Sequence, residues 1–451
     1  MGGLLTVAWS DSKGRDGGAN QEASVRARLL CLLAAAALVT LVFSPNLRDP
    51  FLSDDYVILH HASFNPPTVP ASLRTPGGDG AFRPLGNLYY AVVYKFAGYN
   101  PLAWHLCSLA IHLINTTLVF SIAWRIWRDI AMALAAGLLF GLHGTRPEVV
   151  VWMAGSFDLL ACLCVLSCVY IALLTKTAAA SMWRYAGFSL CAAAGILCKE
   201  SAYAMPFVVA AILWPVLSLE KLRGFLIAGV SACAALFAYR LYLFGGPGGY
   251  IDTATGRPQV LSASLLLSVK ALASRVWTIL LVPNNWDSSM SVSAAIAIPL
   301  GMAALLAVAM LASAQSRAVV WIRLGLILGT SLAVLPAVHL ALIGESELGS
   351  RILYVPSFTF ALLIGSLLDR AGRLQIVLIG LALLGAAGTL EHNLKTWHNV
   401  AVQAREACIA AVDSKSSGSQ TLPAVKDGVF FFQNGLPECE QLVRDGRMHR
   451  R

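Results

Sequence analysis

Polar and apolar positions fall in long blocks along this chain rather than at the short period of a surface helix or strand. Apolar runs long enough to cross roughly 30 Å of hydrocarbon recur from Leu29 onward. They lie near Leu29–Phe43, Leu102–Trp124, Ile130–Leu142, Phe157–Leu174, Trp183–Cys198, Ala202–Leu217, Leu222–Leu243, Val292–Ala312, Val319–Ile343, Ile352–Leu368 and Leu374–Leu390. The pattern predicts an all-α polytopic membrane protein with about eleven transmembrane helices. A further stretch, Leu261–Val282, is apolar enough to mimic a span, but Lys270 and Arg275 interrupt it. It is read as an interfacial or re-entrant helix, with one more span as the alternative count.

Basic residues sit in every second connection: Arg125 and Arg128, Lys176 and Arg184, Lys221 and Arg223, Arg317 and Arg323, Arg370 and Arg373. The positive-inside rule makes that side cytoplasmic and places the N-terminus with it. Of 451 residues, 57% are hydrophobic and 13% charged, which excludes an ordinary soluble domain. The net charge of +9 is absorbed by these connections, so no nucleic-acid partner is implied. Residues 1–28 read as a disordered cytoplasmic N-terminus. The apolar run after them lacks a small-residue cleavage site and reads as a retained helix.

The opposite side then receives 44–101, 143–156, 244–291 with the interfacial helix, 344–351, and a C-terminal tail over 391–451. All cysteines but Cys408 and Cys439 fall inside predicted spans, where they pack as small apolar residues. Cys162, Cys164 and Cys168 share one helix without a His or acidic partner, which favours packing over metal ligation. Cys408 and Cys439, in an extracytoplasmic tail, are free to form a disulfide. Within that tail Glu391–Val412 suits an amphipathic helix, Asp413–Gln420 a Ser-rich linker, and Val429–Phe432 with Asn434-Gly435 a strand and turn. The sequon at Asn115 lies inside a span and is not expected to be used.

Charges of both signs collect on this outer face. Asp54 and Asp55 lie just past the first span, followed by Phe82-Arg83-Pro84-Leu85. His143-Gly-Thr-Arg146-Pro-Glu148 forms the second outer loop, with Asp158 at the head of the next span. Lys199-Glu200 and the group Glu345, Glu347 and Arg351 complete the set. A carboxylate can deprotonate an acceptor hydroxyl, and Arg or Lys can hold a phosphate by charge-assisted hydrogen bonds. A site with both at a lipid boundary suits group transfer from a lipid phosphate. The structural alternatives are that Asp54-Asp55 caps a helix, and that Arg83 and Lys199 sit among headgroups. His60 and His61 invite a metal reading, against which solvated loop histidines are the simpler account. His105 and His112 share a helical face suited to packing or interhelical hydrogen bonding. Pro336 and His339 mark a kink that is structural or cavity-lining.

In motif order the chain resembles the GT-C superfamily of integral-membrane glycosyltransferases. It is most similar to the protein O-mannosyltransferase branch that includes the transmembrane and tetratricopeptide-repeat proteins. The resemblance rests on Asp54-Asp55, Phe82-Arg83-Pro84-Leu85, His105 and His112, and His143-Gly-Thr-Arg-Pro-Glu148-Val-Val with Asp158. It continues through Lys199-Glu200, Leu281-Val-Pro with Trp286-Asp287, and Arg351-Ile-Leu-Tyr-Val-Pro-Ser357. It covers most of a GT-C-like domain over 29–390. It implies a polyprenyl-phosphate-linked sugar as donor, an acceptor hydroxyl on a protein, lipid or glycan, and inversion at the anomeric carbon. By the same resemblance Asp54 is expected to be the general base with Asp55 its orienting partner, or the reverse. Arg83, Lys199 and Arg351 are the donor-phosphate candidates, with His143, Glu148, Asp158 and Glu200 supporting. The chain departs from the family where Gly144 and Arg146 replace a Pro and a His, and where no tetratricopeptide array follows the last span.

Two other classes share the topology: a lipid-linked sugar transporter or flippase, which calls for ionisable residues deeper in broken spans, and a non-catalytic polysaccharide assembly component, which needs no acidic pair. Sugar, polyprenol, acceptor and divalent-metal dependence are not read from the sequence. A bacterial inner membrane with a periplasmic active face is the expected location, and membrane lipids are the expected surroundings.

Overall fold

The computed structural model describes residues 18–74, 81–177, 181–245, 272, 276–283, 292–313, 316–337, 349–369, 372–417 and 435–448, and the elements among them are helical. Among the described residues six helices are long and apolar enough to cross a membrane: Val25–Arg48, Pro101–Trp127, Met153–Lys176, Leu219–Phe244, Arg317–Val334 and Gln375–Asp413. Shorter apolar helices stand between them at Ile130–Leu142, Met182–Cys198, Glu200–Leu213, Leu300–Leu311 and Pro356–Leu368. The chain is a polytopic integral membrane protein.

Local chemistry sets the turns. Helix Pro101–Trp127 opens on Asn100, whose side chain accepts the Leu102 amide, and ends at Arg128 in the left-handed region with φ 57°. Asp129 follows at once and caps helix Ile130–Leu142 by accepting the Met132 amide at 2.9 Å. The hairpin then packs through small residues. A Cβ at Gly141 would meet Val39 Cγ2 at 2.8 Å and Thr116 at 3.2 Å, so glycine there lets three helices close on one another. Helices Pro101–Trp127, Ile130–Leu142, Ser156–Leu173, Met182–Cys198, Arg317–Val334 and Pro356–Gly365 share one continuous apolar core.

Polar side chains pin that core. His112 is bonded through Nδ1 to the Tyr354 hydroxyl at 2.7 Å and through Nε2 to the Gly141 carbonyl at 3.0 Å. Asn115 donates to the Leu159 carbonyl at 3.0 Å and to Tyr354 at 3.2 Å, so the sequon lies in the core. Arg323, expected in a cytoplasmic connection, is instead buried within helix Arg317–Val334. Its guanidinium donates to the Ser366 hydroxyl and carbonyl at 3.1 and 2.8 Å and to the Met310 carbonyl at 2.7 Å. Its long apolar stem carries the charge to carbonyls near neighbouring helix ends.

Three expectations need correction. The first helix starts at Gly18, so 18–28 is not disordered: the segment from Gln21 to Arg28 contains no Pro or Gly and extends the span by about two polar helical turns. The first outer loop is itself helical over Asp54–Phe64, Val69–Arg74 and Pro84–Ala97. The last span and the tail form one helix, Arg373–Ser417, so 413–417 is helical rather than linker; nothing from Thr389 to Ser417 breaks it. Helix Arg317–Val334 gives way to a 3-10 turn over Leu335–Ala337, where Pro336 removes an amide. His339, Glu345, Glu347, Trp286, Asp287, Arg370, Val429–Phe432 and most of Leu261–Val282 lie outside the described residues; of the last, Trp277–Leu281 is helical.

The tail folds back as a cover over the first outer loop. Trp397, Ala401 and Ala404 pack with Leu52 and Trp152, His398 bonds Asp49 at 2.7 Å, and Asn46 donates to the Leu394 carbonyl at 3.1 Å. Terminal helix Leu436–Arg444 buries Cys439, Leu442 and Val443 against Phe51, Tyr56 and Leu59. Cys408 and Cys439 are bridged, with 6.2 Å between their Cα atoms. Gly435, at φ 79°, lies so close to the Ser53 carbonyl that a Cβ there would collide with it.

Candidate functional site

The acidic pair opens helix Asp54–Phe64 directly after Ser53, a non-glycine residue held at φ 51° and ψ −122°. Asp55 is wholly buried. Its Oδ2 accepts the Leu52 amide at 3.2 Å and its Oδ1 the Ala154 amide at 3.1 Å. Those bonds reach backward and across to another segment instead of to the first-turn amides of its own helix. Burial pushes the Asp55 carboxyl well above its ordinary value, against the pull of the amide donors, and the Asp54 charge adds to the rise. Asp54 is only half-buried. The two carboxyls therefore differ in kind: Asp55 is tied into the scaffold and Asp54 stands at its rim.

A sign follows for pH. A carboxyl raised in the folded chain binds its proton more tightly there than when unfolded. The stability this gives is present below its ordinary value of 3.8 and is lost as pH rises through the elevated folded value. Melting temperature of the purified protein in lipid is expected to fall across that window, and Asp55→Asn is expected to flatten the fall. A curve of the same slope in both proteins would remove Asp55 as its source.

The cations are each held by one carboxylate from a distant part of the chain. Arg83 bonds Glu200 Oε2 through Nε and Nη2, both at 2.9 Å, and stacks 5.1 Å over the Phe157 ring. Lys199 donates to Asp158 Oδ2 in a buried pair. Arg351 approaches Glu148 Oε1 at 3.4 Å and stacks 4.6 Å over Trp152. Glu148 itself is fully buried and also accepts the Gly349 amide at 2.9 Å, the Ser350 hydroxyl at 2.9 Å and the Arg351 amide at 2.6 Å.

These groups form one cluster. Burial pushes the Lys199 ammonium down to about 8; Asp158 opposes the shift, while Arg351 and Arg83 press in the same direction. Tyr90 links the cluster to the acidic pair. Its hydroxyl donates to the Met153 and Ala154 carbonyls at 3.1 and 3.2 Å, fixing the segment whose amide holds Asp55. Burial raises the Tyr90 hydroxyl far above its usual range, and Asp55, Arg83 and Asp158 all act on it electrostatically. Sequence reading overlooked Tyr90. It also overlooked Arg240, which bonds Glu200 Oε1 at 3.4 Å from within helix Leu219–Phe244. A single cation near the end of an apolar span was the available signal, because such a charge needs a partner.

Other candidates lie apart from this bonding network. His143 is bonded to the Thr145 hydroxyl at 2.9 Å and the Leu280 carbonyl at 3.0 Å, and to none of the site's charges. Arg146 donates to the Phe140 carbonyl at 2.7 Å, Thr145 at 3.2 Å and Ser357 at 2.7 Å, between the rings of Phe140 and Tyr354. It locks the second outer loop onto helix Pro356–Gly365. His105 is bonded to the Leu47 carbonyl at 3.1 Å, and His60 to Gln441 at 3.0 Å. Among the described residues no three of His, Cys, Asp and Glu gather in a metal-binding arrangement.

No family model matches the chain. The protein O-mannosyl-transferase Tmtc2 of Drosophila melanogaster is 34% identical over 137 residues, which is 29% of this chain and 14% of that protein's length. The apo structure of ArnT from Cupriavidus metallidurans superposes with a TM-score of 0.51 at 14% identity, over 91% of this chain and 84% of that one. The apo oligosaccharyltransferase of Archaeoglobus fulgidus does so with a TM-score of 0.51 at 11% identity, over 89% of this chain and 61% of that one. The chain therefore shares its fold with these two membrane proteins, and over under a third of its length it is similar to an O-mannosyl-transferase, in keeping with the motif order that resembles the transmembrane and tetratricopeptide-repeat branch of the GT-C superfamily.

Proposed function

We propose that this protein is a membrane glycosyltransferase that moves a sugar from a polyprenyl-phosphate donor to an acceptor hydroxyl on the face carrying the acidic pair. The observation that carries the reading is that Tyr90 and the Ala154 backbone tie the segment bearing the acidic pair to a cluster of three cations, each steadied by its own carboxylate. Asp54 accepts the proton of the acceptor hydroxyl as that oxygen attacks the anomeric carbon. The bond from the anomeric carbon to the phosphate oxygen breaks, and its electron pair leaves with the phosphate. Arg83, Lys199 and Arg351 receive that charge, which lowers the barrier most if they are fixed before the reaction starts. Attack opposite the departing phosphate inverts the anomeric carbon.

A lipid-borne donor fits the surroundings. A cavity of about 510 Å³ ends at Glu200 and Arg240 and is walled by Pro206, Phe207, Val230 and Phe237. Phe207, Val230 and Phe237 are exposed on the apolar surface of the bundle, so an isoprenoid chain can lie between the helices with its phosphate at the charged end. The similarity to an O-mannosyl-transferase favours a hexosyl donor such as mannosyl, and the basic connections support a site on the extracytoplasmic side, in a bacterial cell the periplasmic face of the inner membrane.

The test is release of labelled sugar from a panel of polyprenyl-phosphate donors by purified protein in lipid. Turnover with at least one donor and an acceptor hydroxyl is expected. Donor that crosses the bilayer intact, with no sugar released, would instead assign a transporter.

A further inference from the structure

A second cationic site lies on the opposite face of the bundle, where the first span meets the end of helix Pro101–Trp127. That helix runs from Trp104, packed in the same cluster as Phe51 and Tyr56, to Arg125 and Arg128. At about 1.5 Å per residue its ends are roughly 40 Å apart, so the two sites are separate. A cavity of about 260 Å³ is lined there by Arg28, Trp124, Arg125, Arg128 and Tyr170, and among the described residues no acidic side chain lines it. Arg28 stacks 4.8 Å over the Trp124 ring. Arg125 stacks 4.8 Å over the Tyr170 ring and donates to its hydroxyl at 3.1 Å.

Neighbouring groups are already committed elsewhere. Asp129 caps the next helix through the Met132 amide at 2.9 Å, and Lys176 donates to the Arg125 and Ile126 carbonyls at 3.3 and 3.2 Å. Trp124 keeps a buried indole N–H without a hydrogen-bond partner. Orientation by positive charge explains arginines at span ends, but not three of them lining one cavity with two stacked on aromatic rings, nor a buried donor left unmet. The wall toward the hydrocarbon is Leu29 and Leu32, with Leu29, Leu30 and Leu33 exposed on the outer surface of the first span.

We propose that this cavity binds the phosphate headgroup of an anionic phospholipid from the leaflet opposite the acidic pair. The guanidiniums and the Trp124 indole N–H donate to the phosphate oxygens, and the acyl chains lie along Leu29 and Leu33.

The experiment places the full-length protein in phosphatidylcholine nanodiscs with and without phosphatidylglycerol, reading retained lipid by native mass spectrometry and stability by melting. Phosphatidylglycerol is expected to be retained and to raise the melting temperature. The combined Arg28→Gln, Arg125→Gln, Arg128→Gln variant is expected to bind it roughly 100-fold more weakly, at about fivefold per arginine. Trp124→Phe keeps the ring under Arg28 and removes only the N–H. It is expected to weaken retention several-fold, and it serves as the informative variant if the triple substitution does not fold. Equal retention by wild type and Trp124→Phe, or a stabilisation that inorganic phosphate reproduces without lipid, overturns the proposal.

Discussion

Asp54→Asn is expected to lower donor turnover by about 10²- to 10⁴-fold while the protein remains folded, the usual range for loss of a positioned general base. The amide matches the carboxylate in shape but cannot take the acceptor's proton. Because Asp54 is half-buried at the first turn of helix Asp54–Phe64, the substitution disturbs little packing. Asp55→Asn acts differently. Both Asp55 oxygens accept backbone amides, from Leu52 and Ala154, and an Asn side chain offers one acceptor while turning an NH₂ toward the other donor. The expected outcome is a smaller rate loss together with the changed pH dependence of melting described above. Single-turnover rates and melting curves on the two variants separate the roles. Full activity in Asp54→Asn beside a dead but folded Asp55→Asn would exchange them.

Hydropathy made the membrane architecture legible because a span must bury its backbone within itself, so its length and apolarity are written locally. In the structure, local groups such as Asp129 and Pro101 fix where helices Ile130–Leu142 and Pro101–Trp127 begin. The helices of the first outer loop were missed for the opposite reason. Asp54–Phe64 mixes acidic, aromatic and His residues with no clean apolar stripe, and its helicity is sustained by Tyr56 and Leu59 packing against the tail. Hydropathy alone divides the tail helix where Glu391 and Lys395 begin a polar stretch, yet polarity does not end a helix, and those two residues pair at i,i+4.

Within the site, the residue types and the outer face were readable, but the partners were not. Arg83 meets Glu200 across 117 positions, Lys199 meets Asp158 across 41, and Arg351 meets Glu148 across more than 200. Such pairings are set by how helices lie against each other, which hydrophobic patterning does not specify. Tyr90 was invisible on the same grounds, since its importance rests on two carbonyls more than 60 residues away.

Glu148→Ala is expected to be the most destabilising single change in this region, by about 3–5 kcal/mol, the range for removing one partner of a buried charge network. The carboxylate is fully buried and gathers donors from Gly349, Ser350 and both the amide and guanidinium of Arg351. Its loss leaves these donors facing a cavity and releases the turn Ser350–Leu353 that presents Arg351. Arg351→Ala removes a side chain that is 28% exposed and whose contact with Glu148 is long at 3.4 Å, so its cost to stability is expected to stay within about 1 kcal/mol. Turnover is expected to fall in both variants, in Arg351→Ala without loss of fold. Melting and donor turnover measured on the same preparations decide the matter. If Arg351→Ala melts as early as Glu148→Ala, the arginine is a structural strut; if it melts like wild type and turns over slowly, its charge serves the departing phosphate and Glu148 is the post that holds it there.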